Sequence, residues 1–250
     1  MKLVHVSPFY HPVIGGVEEV VKRIAEYMAK KSWEVYVVTY NRLRKGSIGL
    51  LPKEEEINGV HIIRLKPTFT WSHGSYSTEL LESLAKLKPD IIHVHVWRHP
   101  HVFQVAKFKK RLGFKAILHP HAPFYTLDQV GMLAKTYYLL VDTLLNQTMN
   151  EYDKLLALTP IEKHLIKSTL KIPDEKIVIM PPGLDENLLK LGEKHIKNWQ
   201  FPTIVFDIAR INKEKMHILL IKALRHINCL LYTSDAADEG LGVDLGGRRI

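Results

Sequence analysis

Two rhythms of apolar and polar positions alternate along the chain. Short runs rich in β-branched residues, at Lys2–Val6, Glu34–Thr39, Val60–Leu65, Ile91–Val96, Lys115–His119, Lys154–Leu158 and Lys176–Met180, have the length of buried strands. Longer amphipathic stretches separate them. Val17–Lys31 puts Val17, Val20, Val21, Ile24, Ala25 and Met28 on one helical face with charges opposite. Ser77–Leu87 carries Leu80, Leu81, Leu84 and Leu87 at helical spacing, and Lys88-Pro89-Asp90 breaks it. His101–Leu112 and Ile161–Leu170 follow as helices, the second after Thr159-Pro160, a capping residue with proline at the first helical position. Val130–Tyr152 predicts one long apolar helix, and burial in the core is the expected reason for its composition.

Repeated β–α units with Val/Ile-rich strands predict an α/β fold built on a doubly wound parallel sheet. Right-handed crossovers then put ligands at the carboxyl ends of the strands. We expect a first domain over 1–183, ending at Pro181-Pro182-Gly183, and an interdomain linker over 184–200. Thr203–Ala209 and His217–His226 read as a strand and a helix that start a second domain over 201–228. One strand and one helix cannot bury a core of their own, so that domain is expected to be truncated.

Residues 229–250 do not fit this pattern. Cys229–Glu239 back-translates cleanly to the end of a transposase-type sequencing adapter, and Val243–Ile250 fits the remainder in the same frame. We expect a non-native tail and leave it out of fold reasoning. Its removal takes the only cysteine, so no internal disulfide is expected, and raises the formal charge of +9 to +11.

That charge suits anionic partners such as nucleotides or phospholipid headgroups. No basic stripe interleaved with aromatics occurs, so nucleic acid is not expected. No run of about 18 uncharged apolar residues predicts a membrane span, and the first residues read as a strand rather than a signal peptide. The expected location is cytoplasmic, with contact at the inner face of the membrane allowed by the charge.

The first candidate for chemistry is the loop after the first strand, His11-Pro12-Val13-Ile14-Gly15-Gly16-Val17-Glu18. Two glycines open directly into a helix, where free amides favour phosphate and the backbone can approach a ligand. The pattern matches neither the dinucleotide nor the P-loop fingerprint.

Ser7-Pro8-x-x-x-Pro12-x-x-Gly15-Gly16-Val17-Glu18 resembles the first strand–helix loop of family-4 glycosyltransferases. Further segments are similar in the family's order: Pro89-Asp90-Ile91-Ile92-His93-Val94-His95, Ala116–His121, Leu156–Glu162 and Lys176–Asp185. The resemblance covers essentially all of 1–228. It implies the Rossmann-like N-terminal, acceptor-side half of a GT-B fold and a retaining transfer of sugar from a nucleotide-diphosphate-sugar to an acceptor hydroxyl. It also implies that Gly15 and Gly16 pack against the donor diphosphate and that His121 contacts the transferred sugar. Ala209-Arg210-Ile211-Asn212-Lys213-Glu214-Lys215-Met216 resembles the family's G-R-x-x-x-x-K-G segment, which implicates Arg210 and Lys215 in neutralising the leaving diphosphate. Both of the motif's glycines are replaced, by Ala209 and Met216.

His93 and His95 alternate along a strand and are expected to point to opposite faces, His93 in a structural role. His119 and His121, with His95, His99 and His101 in sequence reach, have the spacing of a metal pair, but no nearby carboxylate or cysteine completes a set. No metal and no cofactor beyond the donor substrate is expected. Pro123-Phe124-Tyr125 and the basic charge fit a lipid-linked or membrane-surface glycan acceptor. The family's glutamate pair, E-x7-E, is expected beyond residue 228, so this chain itself should not turn over. A sugar-nucleotide epimerase or phosphorylase of the same fold, or a non-catalytic nucleotide- or glycan-binding module, are the alternatives.

Overall fold

The apolar strand runs assemble into one sheet of eight strands in the order β10-β9-β8-β7-β1-β2-β4-β3. The members are β1 (Lys2–Val6), β2 (Glu34–Tyr40), β3 (Glu54–Ile57), β4 (Val60–Leu65), β7 (Ile91–His95), β8 (Lys115–His119), β9 (Lys154–Ala157) and β10 (Ile177–Ile179); β5 (Phe69–Trp71) and β6 (Gly74–Tyr76) form a separate antiparallel pair. The computed structural model describes residues 1–43, 48–71, 74–183, 189–190 and 215–224. Every pairing in the large sheet is parallel except β3 with β4. That hairpin turns at Asn58 and Gly59, both at positive φ (52 and 78), as a tight two-residue turn requires.

The helices are α1 (Gly16–Lys30), α2 (Glu79–Leu87), α3 (Pro100–Leu112), α4 (Leu127–Val130), α5 (Met132–Met149), α6 (Pro160–Leu170) and α7 (His217–Leu224). The chain divides into two units, Met1–Tyr125 with Leu133–Gly183, and Thr126–Met132 with Leu184–Ile250. The first holds the sheet. The described part of the second consists of α4, α7 and a few flanking residues. The expected strand Thr203–Ala209, nearly all of the 184–200 linker and the 229–250 tail lie outside the described residues.

Strand alternation sorts the core. Val4, Val6, Ile92, Val94, Ala116 and Leu118 pack with Leu80, Leu84, Val102 and Val105 of α2 and α3. Val35, Val37, Val60 and Ile62 pack under Val21 and Ala25 of α1. The pairings His5↔Val37, His5↔His93 and His95↔His119 place those four histidines on the α1 side of the sheet.

The long Val130–Tyr152 helix is not one helix and is not buried. Gly131, at φ 81, ends α4, where Thr126 and Gln129 form a reciprocal capping box, and α5 starts afresh at Met132. Met132, Leu133, Tyr137, Leu139 and Leu140 are exposed, Leu133 to 90%. Among the described side chains of α5 only Asp142 and Met149 are buried, so the helix touches the core along a narrow edge.

Candidate active site

The strand order reverses direction between β1 and β7. From β1 the chain builds outward through β2 and β4, then returns to place β7 on the other side of β1 and continues through β8 to β10. The carboxyl ends of β1 and β7 therefore flank a topological switch point, where open α/β sheets leave a crevice.

The loop from Ser7 to Gly15 leaves β1 at this edge and leads into α1. Buried Arg64 of β4 fixes it: Arg64 donates to the His11 carbonyl at 2.7 Å and the Pro52 carbonyl at 3.0 Å, and pairs with Glu55. Gly15 occupies the cap position with no side-chain cap bond, and its extended backbone is one any residue adopts. A Cβ built on Gly16 would meet nothing within 4 Å. Packing among the described residues therefore does not require glycine there. The first turn also carries Glu18, which is buried, and Glu19, which accepts from Arg23 at 2.7 Å.

The histidines converge on the other side of the switch point. His93 and His95 share one face, with ring centroids 4.1 Å apart; residues two apart on a strand must do so, and the expectation of opposite faces was wrong. His5 Nδ1 lies 2.9 Å from His95 Nε2, and His95 Nδ1 lies 3.0 Å from His121 Nε2. Each contact needs one proton between two nitrogens. In either sense, from His5 towards His121 or the reverse, His5 Nε2 stays buried without a partner among the described residues, so both sets of tautomers satisfy the two contacts. His119 stacks on His121 at 3.8 Å, is fully buried, and among the described residues has no hydrogen-bond partner for either ring nitrogen. Nε2–H of His101 donates to the His95 carbonyl at 2.8 Å.

Burial keeps these rings neutral. It holds His5 and His121 down at about 3, the latter helped by neighbouring His119, and His119 and His101 at about 4. His93 and His95 lie well below the usual range, first through burial and then through the surrounding imidazoles.

Backbone strain collects at the same edge. Val96 and Arg98 after β7, and His121 and Ala122 after β8, take positive φ of 71, 65, 59 and 50. A left-handed L-residue costs about 1–2 kcal/mol, and such strain clusters at functional sites. Surrounding contacts hold it in place. Arg98 grips both carboxylate oxygens of Asp142 and donates to the Pro123 carbonyl at 2.6 Å. Glu162, also buried, accepts from Ala122 N at 2.8 Å and Leu158 N at 2.7 Å, while Thr159 caps α6 by accepting from Glu162 N. Sequence reading picked out Glu162 only as part of a motif and missed Arg64, Arg98 and Asp142 altogether.

In the second unit, Arg210 lies outside the described residues. Lys215 is exposed, just before α7. Met216, standing where the resembled motif has glycine, takes φ 58, the left-handed conformation that glycine adopts without penalty.

Among solved structures, Anabaena Alr3699/HepE in complex with UDP and glucose is similar at 15% identity and TM-score 0.57, over 90% of this chain and 58% of that one. A glycosyltransferase from Rickettsia africae ESF-5 is similar at 20% and 0.54, over 91% and 57%. The sucrose-phosphate synthase from Thermosynechococcus elongatus gives 15% and 0.50, over 75% and 49%. These likenesses show the fold, a Rossmann-like half of the GT-B kind, and the chain spans roughly half the length of each. Alanine–tRNA ligases of two Francisella tularensis subspecies, novicida (strain U112) and mediasiatica (strain FSC147), align at 24% identity over 71% of this chain but only 21% of each ligase. That identity is too low to carry the ligases' activity to this chain. The profile of Glycosyltransferase Family 4 matches residues 14–188, from the glycine loop through β10, and the chain belongs to that family.

Proposed function

We propose that this chain is the acceptor-side half of an enzyme that moves a sugar from a nucleotide-diphosphate-sugar to an acceptor hydroxyl with retention at the anomeric carbon. The observation that carries the reading is the start of α1: a glycine with open space where its Cβ would be, at the carboxyl edge of the sheet beside the switch point. A glycine that packing does not demand fits a position where something else must approach the backbone. HepE was solved with UDP and glucose, which supports a nucleotide sugar as that ligand.

As the glycosidic C–O bond breaks, the electron pair leaves with the diphosphate. In this reading the amides at the start of α1 stabilise that charge, with Arg210 and Lys215 as the cations that neutralise it, so that the transfer itself needs no metal ion. His121 contacts the transferred sugar. Glu19 is neutralised by Arg23, which lowers the repulsion an incoming diphosphate would meet.

The acceptor in this reading is a glycan presented at a membrane surface, with the protein in the cytoplasm at the inner leaflet. The net charge of +9 and the exposed apolar side chains of α5 support it. Among the described residues no helix is long and apolar enough to cross a membrane, so contact through α5 would be peripheral.

The test is binding of UDP-glucose to the purified chain and to Gly16→Val. The expected result is a Kd raised at least about tenfold with stability changed by less than about 0.5 kcal/mol, as for a surface substitution free of clashes. Equal affinity in the two proteins would overturn the reading. Because the family's glutamate pair is not in these 250 residues, a radiolabelled-sugar assay on the same chain should show no transfer.

A further inference from the structure

Sequence spacing offers His95, His99 and His101 as partners for the pair His119 and His121, and the fold brings His95 to them. His95 is the register partner of His119 on the adjacent strand. His95, His119 and His121 each offer one ring nitrogen, and the three atoms lie within 4.8 Å of one another. A tetrahedral ion with nitrogen bonds of about 2.1 Å needs its ligand atoms roughly 3.4 Å apart. His95 Nδ1 and His121 Nε2, at 3.0 Å, need to part by about 0.4 Å to meet that. His119, stacked on His121 at 3.8 Å, has to turn out of that stack to face the same ion, and among the described residues neither of its nitrogens has a hydrogen-bond partner.

We propose that His95, His119 and His121 hold one divalent ion of the zinc class at the carboxyl ends of β7 and β8. The donor chemistry sets the class. Three imidazoles suit zinc, cobalt, nickel or copper and are poor ligands for magnesium or calcium, which prefer oxygen. Burial keeps the rings unprotonated at neutral pH, so their lone pairs are available. An outer partner is also in place. With Nδ1 on the ion, His95 carries its proton on Nε2 and donates it to His5 Nδ1 at 2.9 Å, the kind of second contact that fixes a ligating ring. Half-buried His121 gives the ion a side open to solvent, and three protein ligands leave a fourth position for water or an anionic oxygen.

This site stands on the histidines alone and shares His121 with the donor reading, but the Co2+ titration needs no donor, so the two can fail separately. An ion there takes the Nε2 lone pair of His121 and ties the turn after β8 to β7.

The experiment is a titration of the chelator-stripped 250-residue chain, carrying no histidine tag, with Co2+ followed by displacement with Zn2+. One Co2+ per chain should bind with the visible d–d bands of a low-coordinate imidazole site, and Zn2+ should abolish them. His121→Gln, at the rim, should weaken binding at least tenfold with an unchanged circular dichroism spectrum, and His119→Gln should do the same where it folds. His164→Gln, which removes an exposed imidazole, should leave binding unchanged. The absence of a stoichiometric band, or a band with the same affinity in His121→Gln, would overturn the proposal.

Discussion

Arg98 and Asp142, 44 residues apart in the chain, form a two-pronged ion pair: Nε to Oδ1 at 2.9 Å and Nη2 to Oδ2 at 2.6 Å. Both side chains are about nine-tenths buried. Trp97 adds a third donor to Asp142 at 2.7 Å, and the guanidinium lies over the Tyr138 ring at 4.3 Å. The pair joins the strained turn after β7 to α5, and through Pro123 it also reaches the loop that carries His121.

Removing one partner strands the other. Asp142→Ala is expected to destabilise the first unit by about 3–5 kcal/mol, the range for a broken buried pair. Asp142→Asn keeps acceptor capacity for one of its donors and should cost less. Urea unfolding of the three proteins checks this order, and equal midpoints for wild type and Asp142→Ala would show that the pair contributes nothing.

The buried imidazoles make stability depend on pH in a fixed direction. Their folded pKa values lie below the unfolded value of about 6.5, so above that pH neither state binds a proton and stability is complete. As pH falls below it, the unfolded chain takes up protons that His5, His93, His95, His101, His119 and His121 refuse until about pH 3–4 or lower. Each such group adds a slope approaching about 1.4 kcal/mol per pH unit. Chemical denaturation in chelator should therefore show stability dropping steeply between pH 6.5 and 4.5. In His5→Gln, which removes one such group, the slope should be shallower. A flat profile across that range would mean the rings are hydrated.

The apolar, solvent-facing side chains of α5 predict attachment to anionic vesicles. Co-sedimentation with phosphatidylserine-containing vesicles should weaken as salt rises, because part of the attraction is electrostatic. Leu133→Asp with Leu140→Asp should abolish it without loss of helical content, since both side chains face solvent. Undiminished sedimentation of that double variant would place the contact elsewhere.

Much of this fold is legible in the sequence because its strands are short, apolar and bounded by breakers. Where the pattern fell short, the reasons are physical. β3 is Glu54-Glu55-Glu56-Ile57; it shows no apolar alternation because it is an edge strand, with Glu54 and Glu56 facing water and discouraging further pairing while Glu55 pairs with buried Arg64. The exposure of α5 is not readable from composition, since an apolar helix looks the same covered or uncovered. The histidine cluster depends on β1 lying beside β7, a pairing across 88 residues that no local spacing encodes. The glycine loop was legible because its chemistry is local, but its clamp by Arg64 was not, since that bond crosses 53 residues.

The central claim is that the backbone at the start of α1 receives the donor diphosphate. It is tested most directly by titrating the 15N-labelled chain with UDP-glucose and following individual amides. The account predicts saturable shifts at Gly15, Gly16 and Val17, with His121 responding, and their loss in Gly16→Val. Stationary Gly15 and Gly16 amides at concentrations where other residues saturate would contradict it.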